Sequence, residues 1–204
     1  MPGLFVTLEG PDGAGKTTQL QLLGRALAPH DPLVVREPGG TTLGESIREL
    51  LLHRDGVAMV PEAEMHLFMA ARAELIAERI KPALEAGRLV LADRYHDSTL
   101  VYQGVVGGAP ATWPASFPRP DLTVLLLVPP EVGLRRQAAA SKRPDRMEAR
   151  PLSFHRQVVD GYRTLAEADP ERFLVVDAMR PPQTIHDEIV TRVERLLAHA
   201  PGSG

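Results

Sequence analysis

The most informative segment of the chain reads Gly10-Pro11-Asp12-Gly13-Ala14-Gly15-Lys16-Thr17. It matches the pattern G-x-x-x-x-G-K-[ST], follows a short apolar run and opens an amphipathic helical pattern. In that context glycines let backbone N–H groups and a helix N-terminus surround a polyphosphate, and the lysine adds a positive charge. The segment therefore predicts a loop that binds the phosphates of ATP, through Gly10, Pro11, Asp12, Gly13, Ala14, Gly15, Lys16, Thr17 and Thr18.

Asp12 is unusual in such a loop, because its carboxylate is repelled by the phosphates that the loop binds. One interpretation is that Asp12 only forms a turn before Gly13, as in any Asp-Gly turn. The other is that its carboxylate points away from ATP, toward a hydroxyl of a second substrate or a metal-bound water. We favour the second interpretation.

Short apolar runs alternate with helical patterns along the chain. The runs are rich in Val and Leu without polar alternation, which predicts a parallel sheet covered by helices on both faces. We expect one three-layer α/β domain over 1–200 and a frayed tail at 201–204. The predicted strands are Leu4–Leu8, Leu33–Arg36, Arg88–Asp93, Leu122–Val128 and Phe173–Asp177. The predicted helices are Lys16–Leu27, Leu43–His53, Glu62–Ala86, Pro130–Ser141, Pro151–Ala168 and Gln183–Ala198, and 104–120 is expected to be an extended loop.

Composition excludes several classes of protein. The 204 residues are 44% apolar and 24% charged, which is ordinary for a globular domain. A net charge of -3 argues against a surface dedicated to nucleic acid, and the lack of cysteine excludes thiolate metal sites and cysteine nucleophiles. Since we find no signal sequence and no apolar run long enough to cross a bilayer, we expect a cytoplasmic protein without membrane contact.

Two charged segments follow predicted strands. Arg36 and Glu37 come after the second strand, and Asp93 and Arg94 end the third. The carboxyl ends of parallel strands meet at one edge of the sheet, where ligands bind. Asp93 and the Thr17 hydroxyl are candidate Mg²⁺ ligands there. The two arginines predict a second phosphate site, although each could instead pair with the acid beside it.

Arg72 lies within an apolar stripe of the long predicted helix, with no acid within reach on that helix. A guanidinium among apolar groups needs hydrogen-bond acceptors from elsewhere. It could extend to the surface or pair with a distant carboxylate, or it could bind a planar ligand such as a nucleobase that stacks on Phe68 one turn away. The sequence leaves both interpretations open.

A charged segment at 142–150 separates two predicted helices. Such a segment is most often a solvated turn. In this position it could instead belong to a mobile lid over about residues 141–151, which would carry arginines to a transferred phosphoryl group and exclude water.

Taken together, these segments resemble the bacterial thymidylate kinase family over nearly the whole chain. The resemblance is carried by 8–18, Arg36-Glu37-Pro38-Gly39-Gly40-Thr41, Phe68 with Arg72, Asp93-Arg94-Tyr95 with Ser98, Thr99, Tyr102 and Gln103, and 129–134. It implies the P-loop NTPase fold, Mg²⁺-dependent transfer of the γ-phosphoryl group of ATP to dTMP, and a homodimer. The alternatives are a kinase for another nucleoside monophosphate, or a P-loop module that binds nucleotide without catalysis. A GTPase that reads guanine with Asn-Lys-x-Asp is excluded, because the chain has no asparagine.

The resemblance also implies how the acceptor nucleotide is bound. Arg36 and Arg94 would hold the phosphate of dTMP with Glu37 beside them, and Asp12 would meet the sugar hydroxyl. The implied contacts to the nucleoside are Phe68 stacked on thymine, Arg72 bonded to its carbonyl oxygen, Thr99 and Gln103 near the base edge, and Tyr102 against the 2′ position.

The catalytic residues follow from the same resemblance. Lys16, Arg94 and Asp12 would act from the sheet edge. Because Ala14 leaves the phosphate loop without an arginine, the lid would supply one, and the candidates are Arg143 and Arg146.

Overall fold

Five parallel strands form the centre of the molecule. The structure, a computed structural model, describes residues 3–53, 57–139 and 144–199. The strands are β1 (Phe5–Glu9), β2 (Leu33–Arg36), β3 (Val90–Asp93), β4 (Leu122–Leu127) and β5 (Phe173–Asp177). Their order in the sheet is β2-β3-β1-β4-β5, so β1, which leads into the phosphate loop, is central.

Helices connect the strands on both faces of the sheet. They are α1 (Lys16–Ala26), α2 (Thr42–Arg48), α3 (Pro61–Leu75), α4 (Lys81–Glu85), α5 (His96–Thr99), α6 (Pro130–Ala139), α7 (Leu152–Ala168) and α8 (Pro182–His199). π-helical segments continue α2, α3 and α5 at Glu49–His53, Ile76–Ile80 and Leu100–Val106, and a 3₁₀ turn at Ala28–His30 follows α1. In the part of the chain that the structure describes, no helix is both long and apolar enough to span a membrane.

The core lies in two layers, one on each face of the sheet. Alternate residues of a strand face opposite sides, so Val6 and Leu8 of β1 pack in the layer that contains α1 and α8. Phe5 packs on the other face, with residues of α3 and of the segment that continues it. This confirms the three-layer α/β arrangement predicted from the unbroken apolar runs.

The longest predicted helix, Glu62–Ala86, is present as one nearly continuous helical run from Pro61 to Glu85. Pro82 near its end cannot donate a backbone hydrogen bond, and its ring crowds the carbonyl group of Glu78 four residues earlier. A π-helical segment at Ile76–Ile80 lies just before the proline, where a wider turn relieves this crowding.

One helical segment was not predicted. The chain from His96 to Val106 is helical, although no helix was predicted there and an extended loop was expected from 104. Val101, Gly104 and Val105 are poor helix formers, so local preference does not favour a helix. Packing decides the outcome instead: Val101 is fully buried, and its side chain contacts Gly161 of α7.

The loop that follows this segment returns over the end of β3. Trp113 packs edge-on against the rings of Tyr95 and His96, with centroid distances of 5.8 and 4.8 Å. Its indole N–H donates to the carbonyl oxygen of Phe117 at 3.2 Å. The loop therefore covers the residues that directly follow Arg94.

The two-layer core makes a prediction about stability. Leu23 of α1 is fully buried against the sheet, whereas Leu43 of α2 is 48% exposed. We expect Leu23→Ala to lower the free energy of unfolding by about 2–5 kcal/mol, because it leaves a cavity in a packed layer. Leu43→Ala is the matched control and should change it by less than about 0.5 kcal/mol. Urea denaturation measures both, and equal losses would contradict the assigned layers.

Candidate functional site

A cavity of about 1070 Å³ opens at the carboxyl ends of the strands. Segments that follow all five strands line it, as expected for the ligand-binding edge of an open parallel sheet. The predicted site residues that line it are Asp12, Gly13, Ala14, Gly15, Lys16, Thr17, Thr18, Arg36, Glu37, Phe68, Asp93, Arg94, Thr99, Tyr102 and Gln103. Most of the predicted site residues, which come from distant segments of the sequence, therefore lie around one cavity.

The loop between β1 and α1 has the backbone that its glycines predict. Gly13 has a φ of 72°, and a Cβ there would lie 2.2 Å from the carbonyl oxygen of Gly133. Gly10, with a φ of 134°, is equally close to the carbonyl oxygen of Leu126. Both positions therefore exclude any side chain, and the loop is pressed against β4 and α6.

Lys16 begins α1 and is buried beneath this loop. Its ammonium group donates to the carbonyl oxygens of Gly10 at 3.0 Å and Pro11 at 2.8 Å. Burial lowers the pKa of Lys16 to about 8, and the nearby charge of Arg94 acts in the same direction. The cation is thus held at the loop by backbone acceptors.

Thr17 and Asp93 meet at the end of the phosphate loop. The Thr17 hydroxyl donates to Asp93 Oδ2 at 2.8 Å, although the residues are 76 positions apart. A hydroxyl and a carboxylate so placed suit Mg²⁺, which takes few protein oxygens and completes its shell with water and substrate phosphates. Among the residues described, no group of three or more His, Asp or Glu side chains could hold a metal ion.

Asp12 turns toward Arg94. Its carboxylate forms an ion pair with the guanidinium group of Arg94 and accepts a long hydrogen bond of 3.4 Å from the Tyr102 hydroxyl. Burial disfavours the ionised carboxylate, but the charges of Arg94 and Lys16 outweigh it and hold the pKa of Asp12 below its usual range. Asp12 is therefore more than a turn residue. The alternative that Arg94 pairs with the adjacent Asp93 is wrong.

Arg94 is fixed by a buried hydrogen-bond network that includes Ser98, Tyr162 and Glu9. This network was not predicted. Arg94 adopts a left-handed φ of 69° and donates to the carbonyl oxygen of Gly10 at 3.1 Å, to Ser98 Oγ at 3.2 Å and to the Tyr162 hydroxyl at 3.3 Å. Glu9, fully buried, accepts from Ser98 Oγ at 2.7 Å and from the Tyr162 hydroxyl at 2.8 Å.

Glu9 also accepts from the backbone N–H of Tyr95 at 2.7 Å. Burial raises the pKa of the Glu9 carboxyl, and the charge of Asp97 adds to the effect. The position of Glu9, at the end of an apolar strand directly before the phosphate loop, could have indicated this network. Tyr162, on a helix more than 150 residues away, gave none.

A second group of cations lines the cavity after β2. Arg36 is 58% exposed at its side chain and lies 3.3 Å from Glu45, rather than pairing with Glu37. Arg48 also lines the cavity and donates to the carbonyl oxygen of Pro38 at 2.8 Å. Burial lowers the pKa of Arg48, and the charge of Arg36 adds to this. Arg48 was missed because it lies inside a helix rather than at a strand end.

Arg72 pairs with the distant carboxylate of Glu37, at 2.6 Å. Its guanidinium group also donates to Thr99 Oγ1 at 2.9 Å, to His96 Nδ1 at 3.2 Å and to the Tyr95 carbonyl oxygen at 3.1 Å. Arg72 is 1% exposed and is not among the described residues that line the cavity. The observed state is therefore the distant ion pair, one of the two alternatives left open by the sequence.

Glu37 keeps one free oxygen in this arrangement. Glu37 Oε2 accepts from Arg72, whereas Oε1 is buried without a hydrogen-bond partner. Burial raises the pKa of Glu37 to about 7, against the opposing charge of Arg72. Since Glu37 lines the cavity, a ligand that offers a hydrogen-bond donor could satisfy this oxygen.

One part of the cavity lining combines aromatic rings with polar groups. Phe68, Thr99, Tyr102 and Gln103 line the cavity there. The guanidinium carbon of Arg94 lies 5.3 Å from the centroid of the Tyr102 ring. A planar ligand with polar edges fits such a wall.

The predicted lid is only partly described. Arg143 lies outside the described residues, whereas Asp145, Met147 and Glu148 line the cavity. Arg146 forms an ion pair with Glu64 and donates to the carbonyl oxygen of Leu51 at 2.8 Å.

In this structure Arg146 is not among the described residues that line the cavity. A catalytic role for Arg146 would therefore require its ion pair with Glu64 to break. The approach of Arg146 to a phosphoryl group stays a prediction.

The other end of the cavity, beyond the phosphate loop, was missed. Arg136 of α6 donates to the carbonyl oxygen of Ala178 at 3.1 Å, and Arg180 forms an ion pair with Glu188. Arg136, Ala178 and Arg180 all line the cavity. Arg180 follows β5 by three residues, so the strand-end rule that found Arg36 and Arg94 also applies to it.

Comparisons with known proteins give consistent matches. The family model "Thymidylate kinase" matches residues 8–189. A thymidylate kinase of Thermomicrobium roseum is 50% identical over 95% of this chain and 95% of its own length, and one of Deinococcus radiodurans is 48% identical over 92% and 94%.

A solved structure shows the same architecture. The crystal structure of thymidylate kinase from Ehrlichia chaffeensis is similar with a TM-score of 0.73 and 29% identity, over 95% of this chain and 99% of that chain. The parallel sheet, the phosphate loop and the matches over nearly the whole length agree. This chain belongs to the thymidylate kinase family.

Proposed function

We propose that the chain transfers the γ-phosphoryl group of ATP to dTMP, which gives ADP and dTDP, and that the residues of the cavity divide between these two nucleotides. The observation that carries this proposal is a single cavity that is lined by Lys16 and also by a second group of cations, Arg36 and Arg48 together with Arg94. A protein that only bound ATP would have no use for the second group. The alternatives, another monophosphate kinase or a non-catalytic module, are not favoured.

ATP is assigned to the phosphate loop and the end of the cavity at Arg136 and Arg180. Lys16, freed from the Gly10 and Pro11 carbonyl oxygens that it now contacts, would bind the β- and γ-phosphates. The residues that would hold Mg²⁺ are Thr17 and Asp93. When bound, the ion would neutralise phosphate charge.

The phosphate of dTMP is assigned to Arg94 and Arg36, with Arg48 as an additional contact. Guanidinium groups suit this task because they hold phosphate oxygens bidentately. Asp12 and Glu37 would accept hydrogen bonds from the sugar hydroxyl or from water nearby. The unpartnered Glu37 Oε1 supports this assignment.

Thymine is assigned to the wall of Phe68, Thr99, Tyr102 and Gln103. Phe68 would stack on the base and Tyr102 would limit space at the 2′ position. Arg72 would act on a base carbonyl only if it releases one of its present acceptors, because its donors are directed to Glu37, Thr99, His96 and Tyr95.

The reaction needs no general base, since the acceptor phosphate is already ionised. An oxygen of the dTMP phosphate attacks the γ-phosphorus, the bond from that phosphorus to the β–γ bridging oxygen breaks, and ADP leaves with the electron pair. Lys16 and Arg94 would stabilise the negative charge that spreads over the transferred group. Arg143 remains the proposed lid arginine, whereas Arg146 is assigned below to another contact.

Three further expectations belong to the proposal, and only the homodimer among them rests on the family resemblance. They are one catalytic domain over 1–200, a homodimer and a cytoplasmic location. The dimer would leave the cavity in each subunit complete, because the residues assigned to both nucleotides come from one chain.

The proposed activity is tested by ADP formation from ATP with dTMP, dUMP, CMP and AMP. We expect turnover with dTMP to exceed that with CMP and AMP about a hundredfold or more. Lys16→Ala should lower turnover at least about a hundredfold, because it removes charge stabilisation at the transferred group. Lys81→Ala, which removes an exposed lysine, is the control. ADP formation that does not depend on any monophosphate would refute the assignment.

The low pKa of Lys16 predicts how ATP use depends on pH. The protonated ammonium binds phosphate, so kcat/KM for ATP should be flat below the pKa of about 8 and fall as the pH rises through it. Lys16→Arg keeps its charge at these pH values and should lack this alkaline decrease. The same decrease in that variant would assign it to another group.

Phe68 gives a prediction about the acceptor alone. Stacking acts in the ground state and in the transition state alike, so Phe68→Ala should raise the KM for dTMP about tenfold or more with a smaller effect on kcat. The KM for ATP should not change. Phe68→Tyr retains an aromatic ring and should behave like the unmodified protein. An unchanged KM for dTMP in Phe68→Ala would remove the stacking role.

A further inference from the structure

Glu64 lies behind the wall that is assigned to the base. It is in the first turn of α3, is 8% exposed, and is not among the described residues that line the cavity. Its carboxylate nevertheless has two partners, one of which, Gln103, lines the cavity. Glu64 Oε1 accepts from Gln103 Nε2 at 2.7 Å, and Oε2 pairs with Arg146.

Arg146, the second partner of the Glu64 carboxylate, is itself held in place. Arg146 donates from its guanidinium group to the carbonyl oxygen of Leu51, and its backbone N–H donates to the carbonyl oxygen of Leu52 at 3.2 Å. Together with the ion pair, these contacts fix Arg146 at three points. Glu64 is therefore fixed in orientation, and its charge is balanced.

This fixed carboxylate determines how the Gln103 amide is oriented. An ionised carboxylate only accepts hydrogen bonds, so the group of Gln103 that faces Glu64 must be the amide nitrogen. Gln103 is 2% exposed and lines the cavity, and its amide oxygen is the acceptor that this orientation leaves for a ligand, beside the second N–H of the same amide. Reversing the amide would place oxygen against oxygen and leave both without a partner.

We propose that Glu64 is a positioning residue that makes Gln103 an obligatory hydrogen-bond acceptor, and that this contact selects a pyrimidine with an N3–H group. Thymine and uracil carry that hydrogen, whereas cytosine presents an unprotonated N3. The proposal rests on the proposed function, because it takes the base to lie against Gln103. It adds a residue that touches neither substrate but determines which base is accepted.

The test is the ratio of kcat/KM for dTMP to that for dCMP in Glu64→Gln. An amide at position 64 can donate as well as accept, so Gln103 is free to reverse and offer its nitrogen to cytosine. We expect the ratio to fall about tenfold, with dUMP losing as much as dTMP and the KM for ATP unchanged. Equal losses with dTMP and dCMP, or an unchanged ratio, would overturn the proposal.

Two variants separate positioning from a general structural effect. Glu62→Gln changes an acid of the same helix whose side chain is 63% exposed, and it should leave the ratio unchanged. Arg146→Lys keeps a cation beside Glu64 and leaves the contact between Glu64 and Gln103 in place. It should preserve the ratio even if kcat falls, and loss of the ratio in this variant would indicate a structural effect.

A reciprocal exchange provides a rescue. In the double variant Glu64→Gln with Gln103→Glu, the amide at position 64 donates to a carboxylate at position 103, whose other oxygen again only accepts. The preference for dTMP over dCMP should return toward that of the unmodified protein. A ratio that stays at the level of Glu64→Gln would count against the proposal.

Failure of this inference is distinct from failure of the proposed function. If the unmodified protein forms ADP with dTMP and Glu64→Gln keeps its preference over dCMP, only the positioning role is wrong. If the unmodified protein does not phosphorylate dTMP, the proposed function is wrong. Thermal denaturation of each variant shows whether a loss of activity is a loss of folded protein.

Discussion

The site depends on the way in which one cation, Arg94, is held. Its guanidinium group contacts Asp12 and Gly10 of the phosphate loop, Ser98 after β3, and Tyr162 of α7. These partners come from separate parts of the chain, so the position of the charge follows from the packing of the whole sheet edge. Glu9 completes the arrangement, because it binds the two hydroxyl groups that contact Arg94. A cation positioned in this way needs little reorganisation when charge develops beside it.

The cavity is rich in cations although the chain has a net charge of -3. Arg36, Arg94 and Arg180 in the cavity lining, and Arg72 behind it, each have an acid within ion-pair distance. These acids reduce repulsion among the cations and also differ in how easily they can be displaced. The exposed Arg36 pair contributes little and can exchange Glu45 for a phosphate. The buried Arg72 pair is costly to open, because an unpaired charge would remain in the interior.

Much of the fold could be predicted because its signals are local. The apolar runs of β2 and β5 were predicted with their observed ends, and the glycine-rich loop places Lys16 at the start of a helix. Several of the features that were missed depend on long-range contacts. The helical segment at 96–106 depends on packing against α7, and the partner of Arg72 is a glutamate 35 residues earlier. Spacing along a single helix cannot identify such a partner.

Trp113 gives this protein a convenient spectroscopic property. It is the only tryptophan of the chain, and it packs against Tyr95 and His96, directly after Arg94. The guanidinium groups of Arg119 and Arg172 lie 5.0 and 5.4 Å from its ring centroid. Indole emission responds to nearby charge and to water. The tryptophan fluorescence of the protein therefore originates entirely beside the segment that carries its central cation, and it reports on the order of that segment without a label.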